Sequence, residues 1–322
     1  MAELYTYAVA RIRAKETSML NMRDLEQVLS AKDERAALQI LADKGFSGKG
    51  NPSSAEELLR EEQEKTTEFL GELIGDLSVF NVFLYQEDFH NLKAAVKTVI
   101  SGTEREDVFS SGGTVDYKTI LDAVRERNFS ALGDMLAKPA EEAKNTMLKT
   151  GDGQLCDVIT DKAALSAIYS AGKSSDNEMI RDYAELTVAL SDIKIAARSC
   201  KMKKSAEFIK RALAECETLD ADALSKAAAK SFDDLLEYLS LSPYANEANA
   251  LKKSFSEFEK QCDNLIMEKV KKQKSNPFTL GPVAAYYLAK EAEMKAVRIV
   301  LSGVKNGLDE NSVKERLRDL YV

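Results

Sequence analysis

Apolar positions in this chain recur at three- and four-residue steps almost from end to end. Leu58, Leu59, Phe69, Leu70, Leu73, Ile74 and Leu77 make one such stripe, the spacing of an amphipathic helix face. Glu56, Glu57, Glu61, Glu62, Glu64 and Lys65 fill the remaining positions and predict the opposite, polar face. Ser54 followed by Glu57 is a capping-box signature, in which a hydroxyl and a carboxylate satisfy backbone N–H groups that the first helical turn leaves unpaired. Breakers mark the joints between helices: 45–52, 110–113, 151–153, 172–176, 242–243 and 275–277. Strict apolar/polar alternation, the mark of half-buried strands, is nearly missing. The pattern predicts an all-α fold.

An internal repeat organises these helices. The segments Tyr85–Gly102, Leu186–Lys203 and Tyr287–Val304 share a motif of a polar residue, an apolar residue and Lys: Asn91-Leu92-Lys93, Asp192-Ile193-Lys194 and Glu293-Met294-Lys295. The three lysines stand at equal steps of 101 residues, close to a third of the 322-residue chain. Ala95 and Ala196 share a register, as do Ala94 and Ala296. Leu121–Phe129 is echoed at an offset of 103 by Leu224–Phe232, and more loosely by Asp24–Ala42. These offsets predict helical units 1–102, 103–204 and 205–322, with Leu92, Ile193 and Met294 in equivalent environments. Three similar units packed head to tail close into a pseudo-threefold ring or funnel with a central depression if the rotation closes. An open solenoid is the alternative, but its usual repeat is only about 20–50 residues.

Composition narrows the chemistry. With 15 glycines and 5 prolines the chain holds about half the usual share of turn formers. There is one histidine, His90, which excludes a two-histidine metal site within one chain. A net charge of −8 argues against broad nucleic-acid binding, which needs clustered Lys and Arg to neutralise phosphates. Cys156, Cys200, Cys216 and Cys262 form no C-x-x-C pair and are expected to be reduced thiols of a cytoplasmic protein. The first five residues show neither the basic nor the apolar region of a secretion signal. The longest uncharged stretches, 77–86 and 275–289, fall short of the ~18 apolar residues of a membrane span.

Four constellations invite a chemical reading. Ala167 to Ser174 fits a loose phosphate-loop pattern, but a helix former precedes it where a strand is required, so the expectation is a helix capped at Gly172. Asp233, Asp234 and Glu237 match the aspartate-rich helix of all-α, magnesium-dependent diphosphate enzymes, yet no second carboxylate cluster pairs with them. Glu87 and His90 have Glu-x-x-His spacing, of which a carboxylate-bridged metal pair needs two copies; His90 therefore reads as a packing or interface residue. Arg198, Lys201, Lys203 and Lys204 form one basic cluster, and Lys269, Lys271, Lys272 and Lys274 another. Each is either a solvated helix end complementing the dipole or part of a partner-docking face. No catalytic, cofactor-binding or metal-binding residue is expected.

The stretch Tyr7–Leu20 resembles the opening helix of the C subunit of V/A-type rotary ATPases (ATP synthases), a family related to the d subunit of the eukaryotic V-ATPase. Pro282–Ser302, Lys305–Leu308 and Arg316–Val322 resemble that family's ending, and the segments around Lys93 and Lys194 fit its pattern. The resemblance spans the whole chain and is weakest at 103–180. It implies a triplicated all-α funnel on the cytoplasmic side of the membrane, peripheral to it. The funnel would sit on the proteolipid ring and receive the foot of the central stalk, formed by the D and F subunits. The implied role is mechanical and non-catalytic, linking ATP turnover to H⁺ or Na⁺ transport. A helical adaptor unrelated to ATPases, or a diphosphate enzyme using Asp233 and Asp234, are the competing expectations.

Overall fold

The computed structural model describes residues 2–46, 52–103 and 105–322. Their regular structure is helical, with no strand among the described residues. In chain order the helices are α1 (Ala2–Glu16), α2 (Met22–Leu29), α3 (Glu34–Asp43), α4 (Ala55–Ile74), α5 (Asn81–Ser101), α6 (Tyr117–Glu126), α7 (Gly133–Thr150) and α8 (Gly153–Lys173). Then come α9 (Glu178–Lys201), α10 (Ala206–Ala212), α11 (Ala221–Lys230), α12 (Phe232–Ser240), α13 (Ala245–Lys253), α14 (Phe255–Lys272), α15 (Gly281–Lys305) and α16 (Glu310–Lys314).

Short polar side chains start these helices. Asn21 and Asp24 form a reciprocal capping box at α2. At α4 the Ser54 hydroxyl accepts from the Glu57 N–H at 3.1 Å, as the sequence pattern predicts. The Glu57 carboxylate, however, reaches one residue further back and accepts from Ser53 N at 2.7 Å. Asp152 starts α8 directly after Gly151, whose φ of +67° ends α7 in the left-handed region that suits glycine. The joint foreseen at 45–52 falls largely outside the described residues. The joint at 172–176 begins two residues later than expected, because α8 runs through Gly172 and is capped at Ser174.

The chain divides into two compact units. One comprises residues 1–77, 177–179 and 249–322. Here α15 packs on α1, α2, α3, α4 and α14. Leu25, Val28, Leu41 and Leu58 meet Val297, Val300 and Leu301 of α15 in its core, closed by Leu317 and Leu320. The other unit comprises residues 78–176 and 180–248. Within it α5 packs on α6, α7 and α8. Phe89, Leu92 and Val96 of α5 lie against Ile120, Val124, Leu136, Cys156 and Ile159. Along α9, Val188 packs with Leu165 of α8 and with Ala214 of the segment after α10. Each such side chain carries about 1.5–3 kcal/mol of burial energy, so the apolar stripes account for the docking of α5 and α15.

Candidate functional site

The three motif helices each place a polar side chain in the interior two residues before the motif lysine. Asn91, Asp192 and Glu293 are each 1% exposed, beside Leu92, Ile193 and Met294, which are buried as well. A buried polar group needs a hydrogen-bond partner, and each of the three finds a backbone N–H elsewhere in the chain. Asn91 Oδ1 accepts from Ser110 N at 2.8 Å, and its amide returns a bond to Ser110 O at 2.9 Å. Asp192 Oδ1 accepts from Ala214 N at 3.1 Å. Glu293 Oε1 accepts from Leu20 N at 2.5 Å. The Glu293 and Asp192 clasps therefore pin segments that lead into pairs of short helices, α2–α3 and α11–α12, and the Asn91 clasp one that leads into α6. Of the motif lysines, Lys93 pairs with Asp161 at 2.7 Å and Lys295 with Asp263 at 3.2 Å. Lys194 lies on α9, half-buried.

The clasps differ in charge. Asn91 is neutral. Glu293 is paired with Lys290, whose ammonium also reaches Glu62 of α4 at 2.6 Å and lies over the Phe46 ring. Lys65 meets the other oxygen of Glu62 at 3.0 Å, so two carboxylates share two cations. Burial would push the Lys290 pKa down, but Glu293 and Glu62 outweigh it and hold it above the ordinary lysine value. Glu62 corrects the sequence pattern, which assigns it to the polar face of α4. Asp192 makes no such ion pair among the described residues. Burial pushes its pKa up to about 7, against the Ala214 N–H and the more distant Lys162 charge. Sequence reasoning also passes over Asp88, the neighbour of Glu87. It is fully buried and accepts from Thr114 N at 2.7 Å, Thr114 Oγ1 at 2.7 Å and Val115 N at 3.0 Å.

The apparent chemical motifs are occupied structurally. Gly172 stands inside α8 because a Cβ there would come within 2.2 Å of the Ala184 Cβ on α9. It is a close-approach glycine, not the helix cap expected from the sequence, and Lys173 beside it is paired with Glu217. Asp234 caps α12 with Ser231 and pairs with Lys230. His90 is exposed, its Nε2 3.0 Å from Val108 O. In the first basic cluster, Lys204 donates to Gln154 at 2.8 Å and covers the Phe208 ring, and Lys201 lies over Phe232. Arg198 and Lys203 are exposed at the end of α9. In the second cluster, Lys272 pairs with Glu268 at 2.9 Å, and Lys269 and Lys271 are half-buried in the last turn of α14. Lys274 donates to Tyr321 O at 2.7 Å.

Comparison with known proteins supplies the frame for this geometry. The model of the ATP synthase (C/AC39) subunit family matches residues 8–316. The chain belongs to that family. It is 22% identical to the C subunit of the V-type sodium ATPase of Enterococcus hirae, over 96% of this chain and 97% of that protein. It is 21% identical to the C subunit of the V-type ATP synthase of Thermus thermophilus, over 98% and 99%. With the C subunit of the A-type ATP synthase of Methanocaldococcus jannaschii the identity is 22%, over 99% and 86%. In this member of the C/AC39 family the two termini that carry the sequence resemblance lock together. Arg13 donates to Tyr321 Oη at 3.3 Å and to the carbonyls of Gln273 and Lys274 at 2.8 and 3.1 Å. Tyr321 Oη in turn donates to Glu16 at 2.7 Å.

Proposed function

We propose that this chain is the non-catalytic connector of a V/A-type rotary ATPase. It links the central stalk, made of the D and F subunits, to the membrane proteolipid ring during ATP-coupled H⁺ or Na⁺ transport. The observation that carries this reading is family membership from residue 8 to 316, alongside curated relatives matched over nearly their full length. No helix among the described residues is long and apolar enough to cross a membrane, which fits attachment through the ring rather than through a span of its own. The role asks for a rigid helical body with distinct docking faces. Interfaces of that kind typically bury about 1,200–2,000 Å².

The equal steps between Lys93, Lys194 and Lys295, together with the three clasps, favour reading 1–102, 103–204 and 205–322 as three related units around a central depression for the stalk. The basic clusters at 198–204 and 269–274 would contribute to docking, and charge there would govern encounter and orientation. The test is reconstitution. The chain should co-purify with a stalk D–F pair and with a detergent-solubilised proteolipid ring from its own organism, and should itself show no ATP hydrolysis. Lys201→Glu with Lys203→Glu should weaken assembly while the circular-dichroism signal is kept. Unchanged assembly removes that cluster from the interface, and failure of the wild-type chain to bind either partner removes the connector role.

A further inference from the structure

A cleft in the second unit has no place in the connector reading. It is about 340 Å³, at the small end of the range typical of ligand pockets, and lies between α7, α8 and α10. Pro139, Val158, Ile159 and Ala163 supply carbon surface, and Lys162, Arg211 and Glu142 supply charge. Elsewhere in this unit Lys93, Lys97, Lys173 and Lys210 pair with Asp161, Asp157, Glu217 and Asp222, while Arg127, Lys138 and Lys149 stand exposed on the surface. Lys162 and Arg211 make no ion pair among the described residues, and the charge of Lys162 bears on the buried Asp192. What sets the half-buried Lys162 and the exposed Arg211 apart is that both border this apolar cleft, where one anion would meet the two of them.

The balance of charge in the cleft selects the anion. Lys162, Arg211 and Glu142 sum to one positive charge, so one negative charge neutralises them and a dianion meets the Glu142 carboxylate. The guanidinium presents a planar fork that suits a carboxylate or a phosphodiester oxygen pair. The apolar wall rewards a hydrocarbon body attached to that group. We infer that the cleft between α7, α8 and α10 binds an organic monoanion carried on an apolar body, through Lys162 and Arg211.

That chemistry could come from a free carboxylate or from an anionic lipid, and two assays separate the sources. In calorimetric titration of the full chain, hexanoate should bind at roughly millimolar Kd, the level expected of so small a ligand, and hexylamine should not bind. Lys162→Gln and Arg211→Gln should each weaken hexanoate about tenfold, the loss of one charge-assisted hydrogen bond. Glu142→Gln should tighten phenyl phosphate several-fold, a gain that a misfolded variant cannot produce. If hexanoate gives no heat but phosphatidylglycerol vesicles sediment the chain and Arg211→Gln abolishes this, the lipid is the source and the site stands. No binding in either assay, or binding indifferent to Lys162→Gln and Arg211→Gln, overturns it.

Discussion

On α5, Lys93 and Lys97 reach Asp161 and Asp157 of α8 at 2.7 and 2.5 Å, with side chains between 26% and 52% exposed. On α15, Lys290 reaches Glu62 of α4 and Glu293 of its own helix, with every side chain 6% exposed or less. Both pairs of helices join a long motif helix to another long helix, and both use lysine and carboxylate. Water makes the difference. The α5–α8 ladder stays solvated, so its charges cost little to bring together and gain little. The α4–α15 cluster has left water, so its charges are tolerable only as a complete set. One contact tunes a surface, whereas the other fixes which turn of α15 faces α4.

The largest expected effect tests that difference directly. Lys290→Met keeps much of the side-chain volume but strands Glu293 in the interior and leaves Glu62 with Lys65 alone. It should lower the free energy of unfolding by about 3–5 kcal/mol, the cost of orphaning buried charge, as read from urea denaturation at pH 7. A loss under about 1 kcal/mol would show that the cluster is wetter than its burial implies.

Asp192 sharpens the comparison as a buried carboxylate with no ion pair among the described residues. Its folded pKa, pushed up to about 7, lies above its unfolded value. Its contribution is therefore fully present below about pH 4 and lost as pH rises through about 7. Asp192→Asn retains an acceptor for Ala214 N and removes the titration. The variant should gain roughly 2–4 kcal/mol over the wild type at pH 8 and little at pH 4. The check is the difference between the two melting curves across that range. A difference that does not change with pH would mean that Asp192 stays ionised in the fold, with Lys162 or water supporting the charge.

These regions also show what could be read from the chain alone. Helix type, most joints and the family were legible, because apolar stripes and breaker residues are local signals. Leu92, Ile193 and Met294 lie in such stripes and are buried. Glu62 was not legible as an interior residue. Periodicity assigns any glutamate to the wet face, and its partner Lys290 lies far along the chain. Gly172 misled for a related reason: a glycine near a helix end reads as a cap, and only the approach of Ala184 shows it to be a packing position. The clasps were half visible. The repeat singled out Asn91, Asp192 and Glu293, but the N–H groups they accept belong to segments without any motif. Asp88 carries no pattern of its own in the sequence, since the recognisable spacing there belongs to its neighbours Glu87 and His90.

The smallest expected effect completes the contrast. Lys93→Met with Lys97→Met removes both cations of the α5–α8 ladder and leaves Asp161 and Asp157 able to turn to water. Exposed pairs are each worth about 0–1 kcal/mol, so the double variant should lose on the order of 1 kcal/mol or less. That loss should also shrink with salt. The Debye length is about 8 Å at physiological ionic strength and about 3 Å at 1 M, so an exposed pair is weakened where a dehydrated one is not. Thermal unfolding of the double variant and of Lys290→Met, each against wild type at low and high sodium chloride, reads both predictions. The ladder deficit should fade as salt rises while the Lys290→Met deficit persists. If the two deficits respond alike, exposure is not what separates these helix pairs, and the difference must lie in the packing around Phe46 and the Leu20 N–H that only the buried cluster engages.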